Sequence, residues 1–163
     1  MDIETFWNTI DRTREVGGSD PDARIDALRD ELAPLPPVEL QAFQNHYDRL
    51  SGSAYRWDIW GAAYVMLGGC SDDGFHYFRD WLISEGRTTF EAALADPDSL
   101  ADLPRIDVAE NESYGYVALE LFEKAESGEL DRDMSTEGTE PLGERWDEDK
   151  VYGMFPRLSA LYG

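Results

Sequence analysis

The feature that most restricts the fold is the run Tyr55-Arg56-Trp57-Asp58-Ile59-Trp60-Gly61-Ala62-Ala63-Tyr64-Val65-Met66-Leu67. On a helical period its apolar side chains cover nearly all sides, and a helix of that kind has to be buried by its neighbours. Gly68-Gly69 stop it. Ser71 is placed to cap a second helix, with Asp72 and Asp73 in its first turn, where the helix dipole favours negative charge. Phe75, Phe78 and Leu82 form the inward stripe of that helix, and Gly86 closes it. Two helices joined by so short a Gly-rich turn predict an antiparallel αα-hairpin over 55–86 at the centre of a helical fold.

Helical spacing elsewhere supplies the helices that would cover it. Ile3, Phe6, Trp7 and Ile10 share a face behind a capping Asp2, and Gly17-Gly18 end that segment. Ser19-Asp20-Pro21 opens a second helix with the stripe Ile25, Leu28 and Leu32, Pro21 standing in the first turn where its missing N–H costs nothing. Pro34, Pro36 and Pro37 break the chain before a third stripe of Leu40, Phe43, Tyr47 and Leu50, which Ser51-Gly52-Ser53 follows. A helix over 88–95 follows the hairpin, 99–103 has room for one turn, and 105–108 reads as irregular or a short extended piece. Tyr114, Val117, Ala118, Leu121, Phe122 and Ala125 mark another amphipathic helix, ended by Gly128. The segment 129–145 is polar, acidic and broken by Gly138, Pro141 and Gly143, which predicts a long surface loop. Beyond it, Trp146, Val151, Phe155, Leu158 and Leu161 predict a tail over 146–163 that docks back on the body. No repeat, linker or change of composition divides the chain. The prediction is therefore one all-α domain over 1–163, an orthogonal or antiparallel bundle of about seven or eight helices.

Charge bounds the partners. Lys and Arg number 14 against 35 Asp and Glu, a formal net charge of −21. Nucleic-acid affinity comes largely from basic side chains that displace counterions, so direct nucleic-acid binding is disfavoured. Anionic membrane surfaces are disfavoured for the same reason. A cationic protein partner fits, and so does mimicry of a nucleic acid. Lys124 and Lys150 are the only lysines, the habit of a GC-rich bacterial genome. Cys70 is the only cysteine, which forbids an intrachain disulfide. The start Met1-Asp2-Ile3-Glu4 lacks a secretory pattern, and no apolar stretch approaches the roughly 20 residues that span a bilayer. The expected compartment is the cytoplasm.

Several blocks resemble the bacterial family called domain of unknown function 4240. They are 55–64, then Gly69-Cys70-Ser71-Asp72-Asp73-Gly74-Phe75, then Phe78-Arg79-Asp80-Trp81-Leu82-Ile83. Phe6-Trp7-Asn8-Thr9-Ile10-Asp11, Gly115-Tyr116-Val117-Ala118 and Phe155-Pro156-Arg157-Leu158 look similar too. The resemblance implies a compact stand-alone bacterial domain and brings no catalytic or binding residue with it.

Four constellations bear chemistry. A thiol at a helix N-terminus is a candidate nucleophile, and Cys70 stands beside Asp72, Asp73 and His76, with Arg79 one turn on. With Ser71 as cap, however, Cys70 and Phe75 take the positions of a hydrophobic staple, and the two Asp oppose a thiolate. Asp72, His76 and Asp80 lie one turn apart on one helix face, as ligands of a divalent ion would, although a solvated face opposite Phe75, Phe78 and Leu82 gives the same spacing. Asp133, Ser135, Glu137, Gly138 and Glu144 loosely match a calcium loop, but Glu140 and Pro141 break the pattern. Trp57, Trp60 and Tyr64 share a helix face that reads as core or as the lining of a pocket. Among them Arg56, Asp58 and Arg79 must be paired if buried. No Ser/His/Asp set, phosphate-cradling Gly loop or nucleotide fingerprint is present, so no cofactor is expected.

Two readings follow. A non-enzymatic binding or regulatory module predicts no deep polar pocket and an exposed aromatic or apolar patch ringed by acids. A small enzyme or ligand binder requires Asp72, Asp73, His76 and Arg79 to converge in a cleft.

Overall fold

The computed structural model describes residues 1–125 and 128–163. Its α-helices are α1 (Ile3–Gly17), α2 (Pro21–Leu32), α3 (Pro37–Ser53), α4 (Trp57–Leu67), α5 (Asp72–Ser84), α6 (Arg87–Ala95), α7 (Val117–Lys124), α8 (Glu148–Met154) and α9 (Pro156–Tyr162). Two 3-10 segments, Pro97–Asp102 and Glu112–Tyr116, lead into the later helices. The fold is all-α. Among the described residues the sole β-type pairing is an isolated parallel bridge between Arg56 and Leu142.

Several predicted starts and stops are realised atom by atom. The Thr5 amide donates to Asp2 Oδ1 at 2.7 Å, that of Asp22 to Asp20 Oδ1 at 3.0 Å, and that of Gly74 to Ser71 Oγ at 3.2 Å. Each bond satisfies one of the orphan donors that every helix start exposes. Gly68, the stop after α4, takes the left-handed conformation at φ 69° that L side chains rarely adopt. One core cluster gathers Phe6 and Ile10 from α1, Leu28 from α2, Phe43 from α3, Ile59 from α4 and Leu158 from α9. The tail docks as expected: Val151, Phe155 and Leu158 are buried. A remote residue caps α9, since Asp98 accepts from the amides of Arg157 at 3.1 Å and Leu158 at 2.9 Å.

Three expectations are refined. First, α4 and α5 touch along only a short stretch. The two helices meet through Trp60 and Phe75 near their N-terminal ends, with ring centres 4.9 Å apart. From there α5 runs against α1, α3 and the turn Glu112–Tyr116, while α8, α9 and Pro97–Asp102 cover α4. An all-round apolar α4 has room for those covers because α5 leaves it. Second, α3 includes Ser51-Gly52-Ser53, the residues read as following its apolar stripe. Gly52 holds its helical place because the segment 136–137 lies directly on it, and a Cβ there would stand 2.8 Å from the Glu137 amide nitrogen.

Third, the acidic loop is irregular and superficial as predicted, but it is a strap fastened along α3. Gln41 bonds the Asp131 backbone twice, at 2.8 and 3.0 Å. Arg132 forks onto Asp48. The hydroxyl of Thr136 donates to Arg49 O at 2.9 Å. Leu142 then pairs with the chain entering α4, donating to Tyr55 O and accepting from Trp57 N. No helix among the described residues is long and apolar enough to cross a membrane.

Candidate functional site

The polar residues singled out around α4 and α5 do not converge as one set: His76 meets Arg79, Nδ1 to Nη2 at 3.4 Å, and Asp80, but the others lie apart. Arg56 and Asp58 clamp the start of α4. The guanidinium bonds both carboxylate oxygens of Asp58 and donates from Nη1 to Leu94 O at 3.0 Å, while Asp58 Oδ1 accepts from the Ile59 amide at 2.8 Å. Asp72 and Asp73 are exposed in the first turn of α5. Arg79, by contrast, is buried at 3% exposure. It donates to Ser51 O at 3.0 Å and to Glu137 Oε2 at 2.9 Å, and its guanidinium carbon lies 4.7 Å from the Tyr55 ring centre.

Cys70 packs against the core, and the Trp60 indole donates to its carbonyl at 2.9 Å. Burial, followed by the nearby charge of Glu110, pushes the thiol up to about 12. The thiol is therefore held protonated, the reverse of what a nucleophile needs.

The stripe Asp72, His76, Asp80 divides. Asp72 stays in water, whereas Asp80 is 1% exposed. The expected solvated face is thus a buried one, because α3 and the turn Glu112–Tyr116 close over it. The Tyr47 hydroxyl donates to Asp80 Oδ1 at 2.7 Å, and a Cβ on Gly115 would stand 2.9 Å from the same oxygen. Asp80 Oδ2 has no hydrogen-bond partner, and His76 Nε2 is 3.7 Å from it. Burial pushes the Asp80 carboxyl up to about 7, against the opposing pull of the Tyr47 bond. It also lowers His76, with Arg79 adding to the effect. Both groups favour their neutral forms. The calcium-like loop is likewise spent on structure: Asp133 accepts from Arg49 and from the Ser135 amide, and Glu137 from Arg79. No group of three or more His, Cys, Asp or Glu among the described residues is arranged to hold a metal ion.

What does gather is aromatic. Trp57 and Trp60 stack at 5.2 Å with planes 3° apart. Trp60 stacks in turn on Phe75, and Phe75 on Tyr55 at 6.0 Å. Trp146 stands at 88° to Trp57 and donates from its indole to Trp57 O at 2.7 Å. Tyr64 closes the corner with its ring centre 5.0 Å from that of Trp146. Trp57, Trp60, Tyr64 and Trp146, with Cys70, line a groove of about 570 Å³ whose rim carries Arg145, Asp147 and Glu148. The Arg145 guanidinium lies over the Trp57 ring at 5.2 Å.

A family model described as protein of unknown function (DUF4240) matches residues 1–124. The chain belongs to that family. Comparison with curated proteins gave no match, and neither did comparison with solved structures. The DUF4240 match takes in α1 to α7 and stops short of the strap and of α8 and α9. The groove therefore straddles its end, with Trp57, Trp60 and Tyr64 inside the matched residues and Trp146 beyond them.

A second hollow in this DUF4240 member was not anticipated. It opens between α1 and α2 over the buried pair Arg24–Glu85, 2.8 Å apart. Its one sequence signal is Arg24 itself, which falls four and eight residues before Leu28 and Leu32, on the apolar stripe of α2.

Proposed function

We propose that this protein is a non-enzymatic binding module of the bacterial cytoplasm whose aromatic groove takes a cationic side chain, Arg or Lys, from a segment of a protein partner. The observation that carries this reading is the seat of Arg145 on Trp57. The chain's own guanidinium already occupies an aromatic face, 5.2 Å from the ring centre, beside the exposed acids Asp147 and Glu148. A cation over an indole face contributes about 0.5 to 2 kcal/mol depending on desolvation. Trp146, at right angles to Trp57, and Tyr64 add further π surface. The net charge of −21 supports a cationic partner through steering and speaks against nucleic acid. Asp72 and Asp73 stay exposed in water while Arg79, which bonds His76, is buried, and that separation supports the binding reading over an enzyme built at the 69–74 turn.

The test is titration with a short peptide carrying Arg and Lys and with its Gln counterpart, followed by tryptophan fluorescence. Salt is held at about 0.15 M so that distant surface charges are screened. The basic peptide should bind, Trp57→Ala should weaken it roughly tenfold, and Arg145→Ala should strengthen it by removing the resident cation. Binding that is unchanged in Trp57→Ala, or no binding at all, overturns the reading.

A further inference from the structure

Away from the groove, a cleft of about 630 Å³ lies among the end of α1, the α1–α2 turn, the α5–α6 junction and the segment 103–106. Its floor is a buried charge cluster to which Arg14 of α1 adds, its Nε 3.6 Å from Glu85 Oε2. Arg24 and Glu85 are each 5% exposed and paired at 2.8 Å. Arg24 is also held by Gly18 O at 2.6 Å and by Ser84 Oγ at 3.2 Å. A buried pair of this kind adds little net stability over apolar residues of the same volume, so its presence under a cleft calls for another reason.

The walls carry opposite charges. Asp11 and Glu15 stand one turn apart at the end of α1, and neither makes a hydrogen bond or ion pair among the described residues. The Asp11 carboxylate lies directly over Gly86, where a Cβ would overlap it; Gly86, at φ 92°, leaves the room that the carboxylate fills. On the segment 103–106, Arg105 is fixed from behind. It donates from Nη1 to Leu161 O at 2.8 Å and sits 5.4 Å from the Tyr162 ring centre. Leu103 and Ile106 flank it as apolar surface. Two anions on the α1 wall, where the intervening Arg14 is turned to Glu85, a positioned guanidinium on another wall and an apolar flank between them suit one ligand class in particular.

We propose that this cleft binds a small zwitterion of the amino-acid type with an apolar side chain. Its ammonium meets Asp11 and Glu15, its carboxylate meets Arg105, and its side chain lies along Leu103 and Ile106. A lone anion would face Asp11 and Glu15, and a lone cation would face Arg105, so each single charge pays a repulsion that the zwitterion avoids.

The experiment is amide NMR on the full chain with three probes: L-leucine, 4-methylpentanoate, which lacks the ammonium, and 3-methylbutylamine, which lacks the carboxylate. Leucine at about 10 mM should shift the amides of Gly18, Ser19, Thr88 and Arg105, and each single-charge analogue should bind roughly tenfold more weakly. Glu15→Gln and Arg105→Gln should each weaken leucine binding by roughly fivefold or more. If Arg105→Gln loosens the C-terminal residues it holds, Glu15→Gln, which breaks no bond of the fold, decides alone. Trp57→Ala should leave leucine binding unchanged, which separates this site from the aromatic groove. Unmoved amides at that concentration, or an analogue that binds as well as leucine, overturn the proposal.

Discussion

Arg79 of α5 and Glu137 of the strap, 58 positions apart in sequence, meet at 2.9 Å over the last turn of α3. The same guanidinium holds Ser51 O at 3.0 Å and lies over the Tyr55 ring. One buried cation thus ties three parts of the chain: the end of α3, the body of α5 and a segment that lies beyond the family match.

Removing that cation should loosen the strap and destabilise the fold together. Arg79→Met loses the bonds to Ser51 O, Glu137 Oε2 and His76 Nδ1 and should cost about 2 to 3 kcal/mol. Glu137→Gln keeps an acceptor for the guanidinium on a more exposed side chain, and should cost about 1 kcal/mol. Urea unfolding of the two variants checks the order; equal losses would sink the clamp.

Asp80 predicts a specific pH dependence. Its folded value of about 7 lies above the ordinary carboxyl value of 3.8. In the unfolded chain Asp80 ionises first, so it withdraws stability progressively as pH rises from near 4 to near 7, and the loss is constant above that. Asp80→Asn keeps an acceptor for Tyr47 and does not titrate. Its stability advantage over the native chain should grow through that window to an upper bound of about 4 kcal/mol. Urea midpoints at pH 4.5, 6 and 8 measure it, and a difference that does not change with pH would refute it.

Gly52→Ala places a methyl group where Thr136 and the Glu137 amide already sit. Either α3 or the strap has to shift, at a cost of about 1 to 3 kcal/mol. The strap is the weaker element because it is held by side chains. Trypsin should therefore cut at Arg132 much faster in the variant than in the native chain, and equal rates would refute the prediction.

Cys70 should resist alkylation. With its thiol near 12, the thiolate fraction at pH 8 is roughly a thousandth of that of an ordinary cysteine. Iodoacetamide should react at least about a hundredfold more slowly than with a free thiol, and faster once urea unfolds the chain.

Much of the local structure could be read in advance. Asp2 and Ser71 cap the helices they were expected to cap, the second helix opens at Pro21 as expected, and Gly68 takes the left-handed stop. Sites were harder. His76 and Asp80 are brought together, but Asp72 stays apart in water; Trp57, Trp60 and Tyr64 form a groove, but only with Trp146. The Arg24–Glu85 cleft had a single signal, one charge on an apolar stripe.

The amino-acid sequence by itself determined most of the helical segments, where α1, α2 and α5 begin, where α4 stops, and that the strap stays irregular. Those outcomes rest on capping, turn chemistry and a repeat of three to four residues, all of them local in the chain. The tertiary structure alone decided that Asp80 is buried, that the acidic segment fastens to α3, and that Trp57 gains a perpendicular partner 89 positions away. Periodicity marks one apolar face of a helix; whether a second, polar face is covered depends on elements distant in sequence. That is why α4 and α5 remain the centre of the molecule, while their chemistry lies in what the rest of the chain lays over them.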